Sequence, residues 1–200
     1  MQKYTLKKQW DSNMKKQESW GVLISQTGSE VIAISKEIGY LPSLVVTNNL
    51  GKITAENLEI FKQNEVDIMI IPFKPVLEDY LSKTLLSKKL ITLHGYLRII
   101  PAGFFGRYAG SIYNGHPALI TKYPELKGFN MQEAIAGKQA DYPDCGSVIH
   151  EVIPQLDSGR VVAEVRTKNI TINADHAYAL LRRTSLESWK YFFTKVWQFQ

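Results

Sequence analysis

From Gly21 onward the chain alternates short runs of apolar and β-branched residues with longer amphipathic stretches, and this alternation limits the fold more than any other feature. Continuous apolar runs of four to eight residues suit strands buried on both faces, and the stretches between them suit crossover helices. We therefore expect an α/β, Rossmann-like fold: a mostly parallel sheet with helices on both faces. Residues 21–25 read as the first strand, followed by a helix starting near Ser29 with Val31, Ile34 and Ile38 facing inward. Residues 43–47 make a second strand, and Thr54 is the N-cap of a helix through Asn64 that buries Leu58 and Phe61. Residues 67–73 return as a third strand, and Pro75 opens a helix reaching about Ser87. Residues 90–93 and 111–114 are the fourth and fifth strands, with a short helix near residues 104–108 between them.

After Pro117 the pattern changes to a loop rich in Pro, Gly and polar residues, then a short helix over residues 131–136. Residues 147–153 and 160–165 alternate as strands and extend the sheet with antiparallel additions. The last segment carries Tyr178, Leu181, Leu186, Trp189, Phe193 and Trp197 at helical spacing, a stripe read as core packing. No linker or internal repeat divides the chain, so residues 21–200 form one catalytic-size domain preceded by an extension over residues 1–20. Trp10 and Trp20 favour packing for that extension, which serves as a packed segment, a dimer contact or a frayed end; homodimerisation stays open.

Hydrophobic residues are 44% of the chain, enough for a core, yet no apolar run approaches the roughly 20 residues of a membrane helix. The start lacks the apolar stretch and small-residue cleavage site of an export signal, and the single cysteine, Cys145, fits a reducing cytoplasm. We expect a cytoplasmic protein with no membrane partner. The net charge of +5 comes from lysines dispersed along the chain, which points to a solvated surface and not to nucleic acid. Such a field helps to collect an anionic ligand.

In open α/β sheets ligands bind at the carboxyl ends of the strands. The fifth strand is followed by Asn114-Gly115-His116-Pro117, where an amide and an imidazole two residues apart on extended chain point the same way. Between the last two strands lies Ile153-Pro154-Gln155-Leu156-Asp157-Ser158-Gly159, a turn that presents one carboxylate able to orient or charge a histidine. Each signal alone is also ordinary turn chemistry.

Together these segments resemble the folate-dependent formyltransferase family, which includes glycinamide ribonucleotide transformylase and the catalytic domains of methionyl-tRNA and amino-sugar formyltransferases. His94-Gly95-Tyr96-Leu97-Arg98-Ile99-Ile100 resembles the family's Gly-aromatic-apolar-Arg-Ile-Leu segment, and Asn114-Gly115-His116-Pro117-Ala118-Leu119 its Asn-x-His-Pro-Ser-Leu. Tyr123-Pro124 matches the aromatic-Pro step, Gly146-Ser147-Val148-Ile149-His150 resembles Gly-Thr-Ser-Val-His, and Leu156-Asp157-Ser158-Gly159 matches Leu-Asp-x-Gly. The resemblance implies transfer of a formyl group from 10-formyltetrahydrofolate to a primary amine, without a metal. It implies that Asn114 hydrogen-bonds the formyl oxygen, that His116 stabilises the oxyanion, and that Asp157, through a water, keeps His116 charged and helps to move protons. For the folate it implies a site at Leu97, Arg98, Ile99, Ile153, Gln155 and Leu156. For the acceptor it implies Gly28, Ser29, Glu30 and His150.

The acceptor side departs from the family. Glycinamide ribonucleotide enzymes bind a phosphate in a Gly-Asn-Gly-Ser-Asn type loop after the first strand. Here the loop is Ser25-Gln26-Thr27-Gly28-Ser29-Glu30, so a carboxylate stands where an Asn helps to hold the dianion. The late Glu-His pair of those enzymes has no convincing counterpart around residues 172–181. The expected acceptor is therefore another small amine such as an amino sugar, with glycinamide ribonucleotide as the named alternative. Hydrolysis of the same folate and non-catalytic folate or nucleotide binding are the competing classes. The loop over residues 121–144 is expected to help set specificity by closing over the acceptor.

Overall fold

The computed structural model describes residues 14–128 and 130–199. The readings for residues 1–13, Trp10 among them, lie outside the described residues. Seven strands form one sheet in the order β3-β2-β1-β4-β5-β6-β7: β1 (Lys15–Ile24), β2 (Tyr40–Thr47), β3 (Asp67–Ile70), β4 (Leu90–His94), β5 (Ser111–His116), β6 (Asp144–Glu151) and β7 (Val161–Lys168). The first five pair in parallel, whereas β5–β6 and β6–β7 are antiparallel. This is the expected α/β architecture with antiparallel additions near the C-terminal part.

Strand alternation builds both faces of the core. Val22 and Ile24 of β1 pack with Val31 and Ile34 of α1 (Ser29–Ile38), Phe61 of α2 (Ala55–Gln63) and Trp189 of the long C-terminal helix (Ala174–Tyr191). Leu23, between them in sequence, turns to the opposite layer with Leu44, Tyr80, Leu93 and Phe104. Thr54 caps α2 by accepting from the Asn57 amide, as its sequence position predicts.

Several boundaries differ from the sequence reading. β1 begins at Lys15 inside the segment read as an extension, because residues 15–17 pair with Tyr40–Pro42 of β2 before a register shift. The helix expected from Pro75 is two single turns, α3 (Leu77–Tyr80) and α4 (Lys83–Leu86). Two local caps divide it: Asp79 accepts from the Val76 amide at 2.7 Å, and Ser82 accepts from the Leu85 amide at 3.1 Å. β3 stops at Ile70 on the sheet edge, where Pro72 cannot continue the ladder. The short helix before β5 is α5 (Ala102–Phe105), and the one after it is α6 (Met131–Ile135). The C-terminal helix, α7, passes into a π-helical turn over Phe192–Trp197.

The fifth strand runs two residues further than expected, so Asn114, Gly115 and His116 lie on the strand itself. Gly115 is where α7 presses against it: a Cβ there would stand 2.6 Å from Trp189 Nε1. Trp189 is fully buried, so its ring has nowhere to move. Gly115→Ala should destabilise the protein by about 1–3 kcal/mol through overpacking. Chemical denaturation checks this; an unchanged midpoint would show that Trp189 does not hold β5.

Candidate active site

β5 is bonded to a parallel neighbour on one side and an antiparallel one on the other, and the antiparallel register sets Asn114 opposite His150 and His116 opposite Val148. Asn114 and His116, two apart on a strand, face the same side. Asn114 Nδ2 lies 3.2 Å from His150 Nε2, and His150 Nδ1 lies 2.8 Å from the Glu151 carbonyl. The Glu151 carbonyl can only accept, so the His150 proton sits on Nδ1 and its Nε2 accepts from the Asn114 amide. Burial, opposed by the Glu151 carbonyl and Asp157, holds His150 below the usual histidine range. A neutral His150 thus fixes the amide orientation of Asn114 and leaves that amide a second hydrogen for a ligand.

His116 is buried, with Nε2 at 2.8 Å from the Leu126 carbonyl and Nδ1 at 3.6 Å from Asp157 Oδ2. Both ring nitrogens face oxygen atoms, the Leu126 carbonyl and the Asp157 carboxylate. Asp157 thus stands within ion-pair distance of the ring. Asp157 Oδ1 lies 3.6 Å from His150 Nε2, and Oδ2 accepts from the Gly128 amide at 3.2 Å. The Asp157 backbone has φ 44°, in the left-handed region that Asp tolerates better than most residues. Gly159 makes the turn fit, because a Cβ there would stand 1.9 Å from the Glu151 carbonyl oxygen.

Two depressions meet at this strand end. The larger, about 830 Å³, is lined by all six residues assigned to the folate, Leu97, Arg98, Ile99, Ile153, Gln155 and Leu156, together with Asn114, His116, His150 and Asp157. Ile99 and Leu156 are 76% and 63% exposed, whereas Ile100 belongs to the core. The smaller, about 250 Å³, is lined by Gly28, Ser29, Glu30, His94, Tyr178, Arg182 and Ser185. Gly95, Gly115 and Pro117 line both. His150, assigned with Gly28, Ser29 and Glu30 to the acceptor, instead lines the larger cleft beside Asn114.

The sequence reading missed most of the smaller pocket. His94 Nδ1 lies 2.9 Å from Glu30 Oε2, and Ser185 donates to Glu30 Oε1 at 2.7 Å. His94 Nε2 lies 2.8 Å from Thr92 Oγ1, which accepts from Trp20 Nε1 at 2.8 Å. The Glu30 carboxylate can only accept, so His94 Nδ1 carries a hydrogen and donates it to Glu30. Trp189 packs at a tilt of 36° against His94 with ring centroids 4.4 Å apart. His94 ends a parallel strand, which is the signal that identifies it. Tyr178, Arg182 and Ser185 follow helical spacing on α7; Tyr178, read as core, is 56% exposed on the pocket wall. Among the described residues no group of three or more His, Cys, Asp or Glu is arranged to hold a metal, and no helix is long and apolar enough to cross a membrane. Cys145 is buried on β6, which pushes its thiol up to about 11.

Residues 22–194 match the model of a family described as Formyl transferase. The phosphoribosylglycinamide formyltransferase of Haemophilus influenzae is 28% identical over 156 residues, covering 72% of this chain and 70% of that protein. The crystal structure of phosphoribosylglycinamide formyltransferase from Anaplasma phagocytophilum has a TM-score of 0.71 and 26% identity, covering 84% of this chain and 80% of that one. A formyltetrahydrofolate deformylase from Pseudomonas syringae shares the fold at a TM-score of 0.66 and 16% identity, over 86% of this chain and 59% of that one.

Burial works to raise the carboxyl group of Glu30, but the hydrogen bonds and charge of its partners, His94 first, hold it below its ordinary value of 4.5. A depressed folded-state value contributes stability above pH 4.5 that is lost as the pH falls through the folded value. Glu30→Gln should therefore melt below the wild type at neutral pH, with the gap narrowing on acidification below 4.5. A melting-temperature gap independent of pH would contradict this.

Proposed function

The chain belongs to the formyl transferase family, and on that premise we propose that it moves a formyl group from 10-formyltetrahydrofolate to the primary amine of a small acceptor. The observation that carries the reading is the meeting of two unequal clefts at Gly115 and Pro117, beside the Asn114 and His116 side chains of the larger one, an arrangement that suits a donor and an acceptor approaching from two sides. The larger cleft has the size of a ligand site, and the exposed Leu97, Ile99, Ile153 and Leu156 offer apolar surface to a flat heteroaromatic ring system. Arg98 suits the carboxylates at the other end of a folate. The bound donor supplies an activated formyl carbon and a nitrogen that leaves once protonated.

The protein's own residues then have distinct tasks. The free hydrogen of the Asn114 amide and the His116 ring meet negative charge developing on the formyl oxygen. Asp157 neutralises a charged His116 and accepts the proton lost by the incoming amine, which it can return towards the leaving nitrogen. The neutral state of His150 matters because a charged ring would donate to Asp157 and no longer accept from Asn114.

For the acceptor, we place phosphoribosylglycinamide first, because that is the substrate in the names of the relatives that match over most of the chain. This reverses the order expected from the sequence, which placed an amino sugar ahead. One observation keeps an amine without a phosphate as the second reading: Glu30 brings a carboxylate to the loop of the smaller pocket.

The proposal is tested by incubating the protein with 10-formyltetrahydrofolate and phosphoribosylglycinamide, following tetrahydrofolate release, with amino-sugar nucleotides in parallel. Amine-dependent release with the ribonucleotide is expected. His116→Ala should slow it by roughly 100-fold or more. Release of formate without any amine would identify a hydrolase, and full transfer by His116→Ala would remove the proposed mechanism.

A further inference from the structure

The smaller pocket contains a carboxylate that the proposed chemistry does not use. Glu30 sits in the first turn of α1, where a negative charge complements the helix dipole. Its side chain keeps 26% exposure while each oxygen accepts one hydrogen bond from protein, one from His94 and one from Ser185. An ionised carboxylate has about four lone-pair sites, so each oxygen retains one. The clamp is rigid: His94 is tied through Thr92 to the buried Trp20 on one side and lies against Trp189 on the other. The pocket is therefore furnished with a preorganised pair of adjacent acceptors, a fixed negative charge at the helix end, and the exposed Arg182 on the rim.

A pair of acceptors on one carboxylate matches two neighbouring hydroxyl groups, each donating one hydrogen. The same charge opposes a phosphate dianion in the Ser25–Glu30 loop, because the positive end of α1 already has its counter-charge. Resting on the reading of the chain as a formyltransferase whose acceptor occupies the smaller pocket, we propose that Glu30 is the specificity-determining residue for that acceptor. Its clamped carboxylate takes vicinal hydroxyls of a sugar ring, and the pocket recognises the acceptor by that diol and not by a phosphate in the loop. A phosphate on such an acceptor lies outside the loop, towards Arg182.

The test compares phosphoribosylglycinamide with its dephosphorylated riboside, by calorimetric binding and by formyl transfer. Wild-type protein should bind the two within tenfold of each other. Glu30→Gln, checked for folding by its melting temperature, should weaken binding of the riboside and raise its KM by tenfold or more, with kcat changed less than threefold. Glu30→Asp should recover part of the loss. Ser185→Ala, which keeps the carboxylate but loosens it, should fall between. A preference for the phosphorylated compound above tenfold, absence of riboside binding, or riboside binding indifferent to Glu30→Gln would each overturn the inference. The two readings fail separately: transfer to the ribonucleotide without dependence on Glu30 removes only this inference, whereas Glu30-dependent riboside binding without any formyl transfer removes only the proposed reaction.

Discussion

The antiparallel pairing of β5 with β6 is the constraint on which the site depends. Residues 113–116 pair with residues 148–151, so every side chain of this short ladder has a fixed face and a fixed opposite number. Asn114 and His116 turn to the site. Tyr113 and Gly115 turn to the core, where Tyr113 packs on Phe192 with ring centroids 4.7 Å apart and Gly115 admits Trp189. A slip of one residue would exchange those faces and bury the polar pair under α7. Because β5 is parallel to β4 on its other edge, the carboxyl end of the parallel sheet opens at this strand.

The two clefts on either side of that strand end differ in their charges. On the larger side a carboxylate, Asp157, faces two histidines, of which burial keeps His150 neutral while His116 has oxygen acceptors at both ring nitrogens. On the smaller side Glu30, His94 and Ser185 close a bonded chain that reaches back to Trp20 on β1. Trp189 serves both, with His94 against its ring face and Gly115 at its indole nitrogen. One buried indole on α7 thereby packs against both β5 and the end of β4.

The order of strands and helices, the inward faces of α1 and α2, and the antiparallel strands β6 and β7 were legible in the sequence because periodicity reports burial directly. The division of the segment after Pro75 was not, since it turns on two side-chain caps, Asp79 and Ser82, within a stretch of helical periodicity. For the site, Asn114, His116 and Asp157 stood out only as an ordered set of matching segments. The role of His150 depends on the strand register, which pairs residues 36 positions apart. His94 and Ser185 converge on Glu30 from β4 and α7, 64 and 155 positions away, and no local pattern can announce that. Tyr178 was misread because an aromatic at core spacing looks the same whether the groove beside it is filled or open.

The central claim is that Asp157 acts on the reacting groups through protons and charge, and not by shaping the cleft. Asp157→Asn keeps the volume of the side chain and its acceptor for the Gly128 amide, while removing the charge beside His116. The direct measurement is single-turnover formyl transfer by Asp157→Asn alongside its binding of a non-reactive folate. The account predicts a rate lower by two orders of magnitude or more with folate binding within threefold of the wild type. A transfer rate close to the wild type, or a loss explained entirely by weaker folate binding, would contradict it.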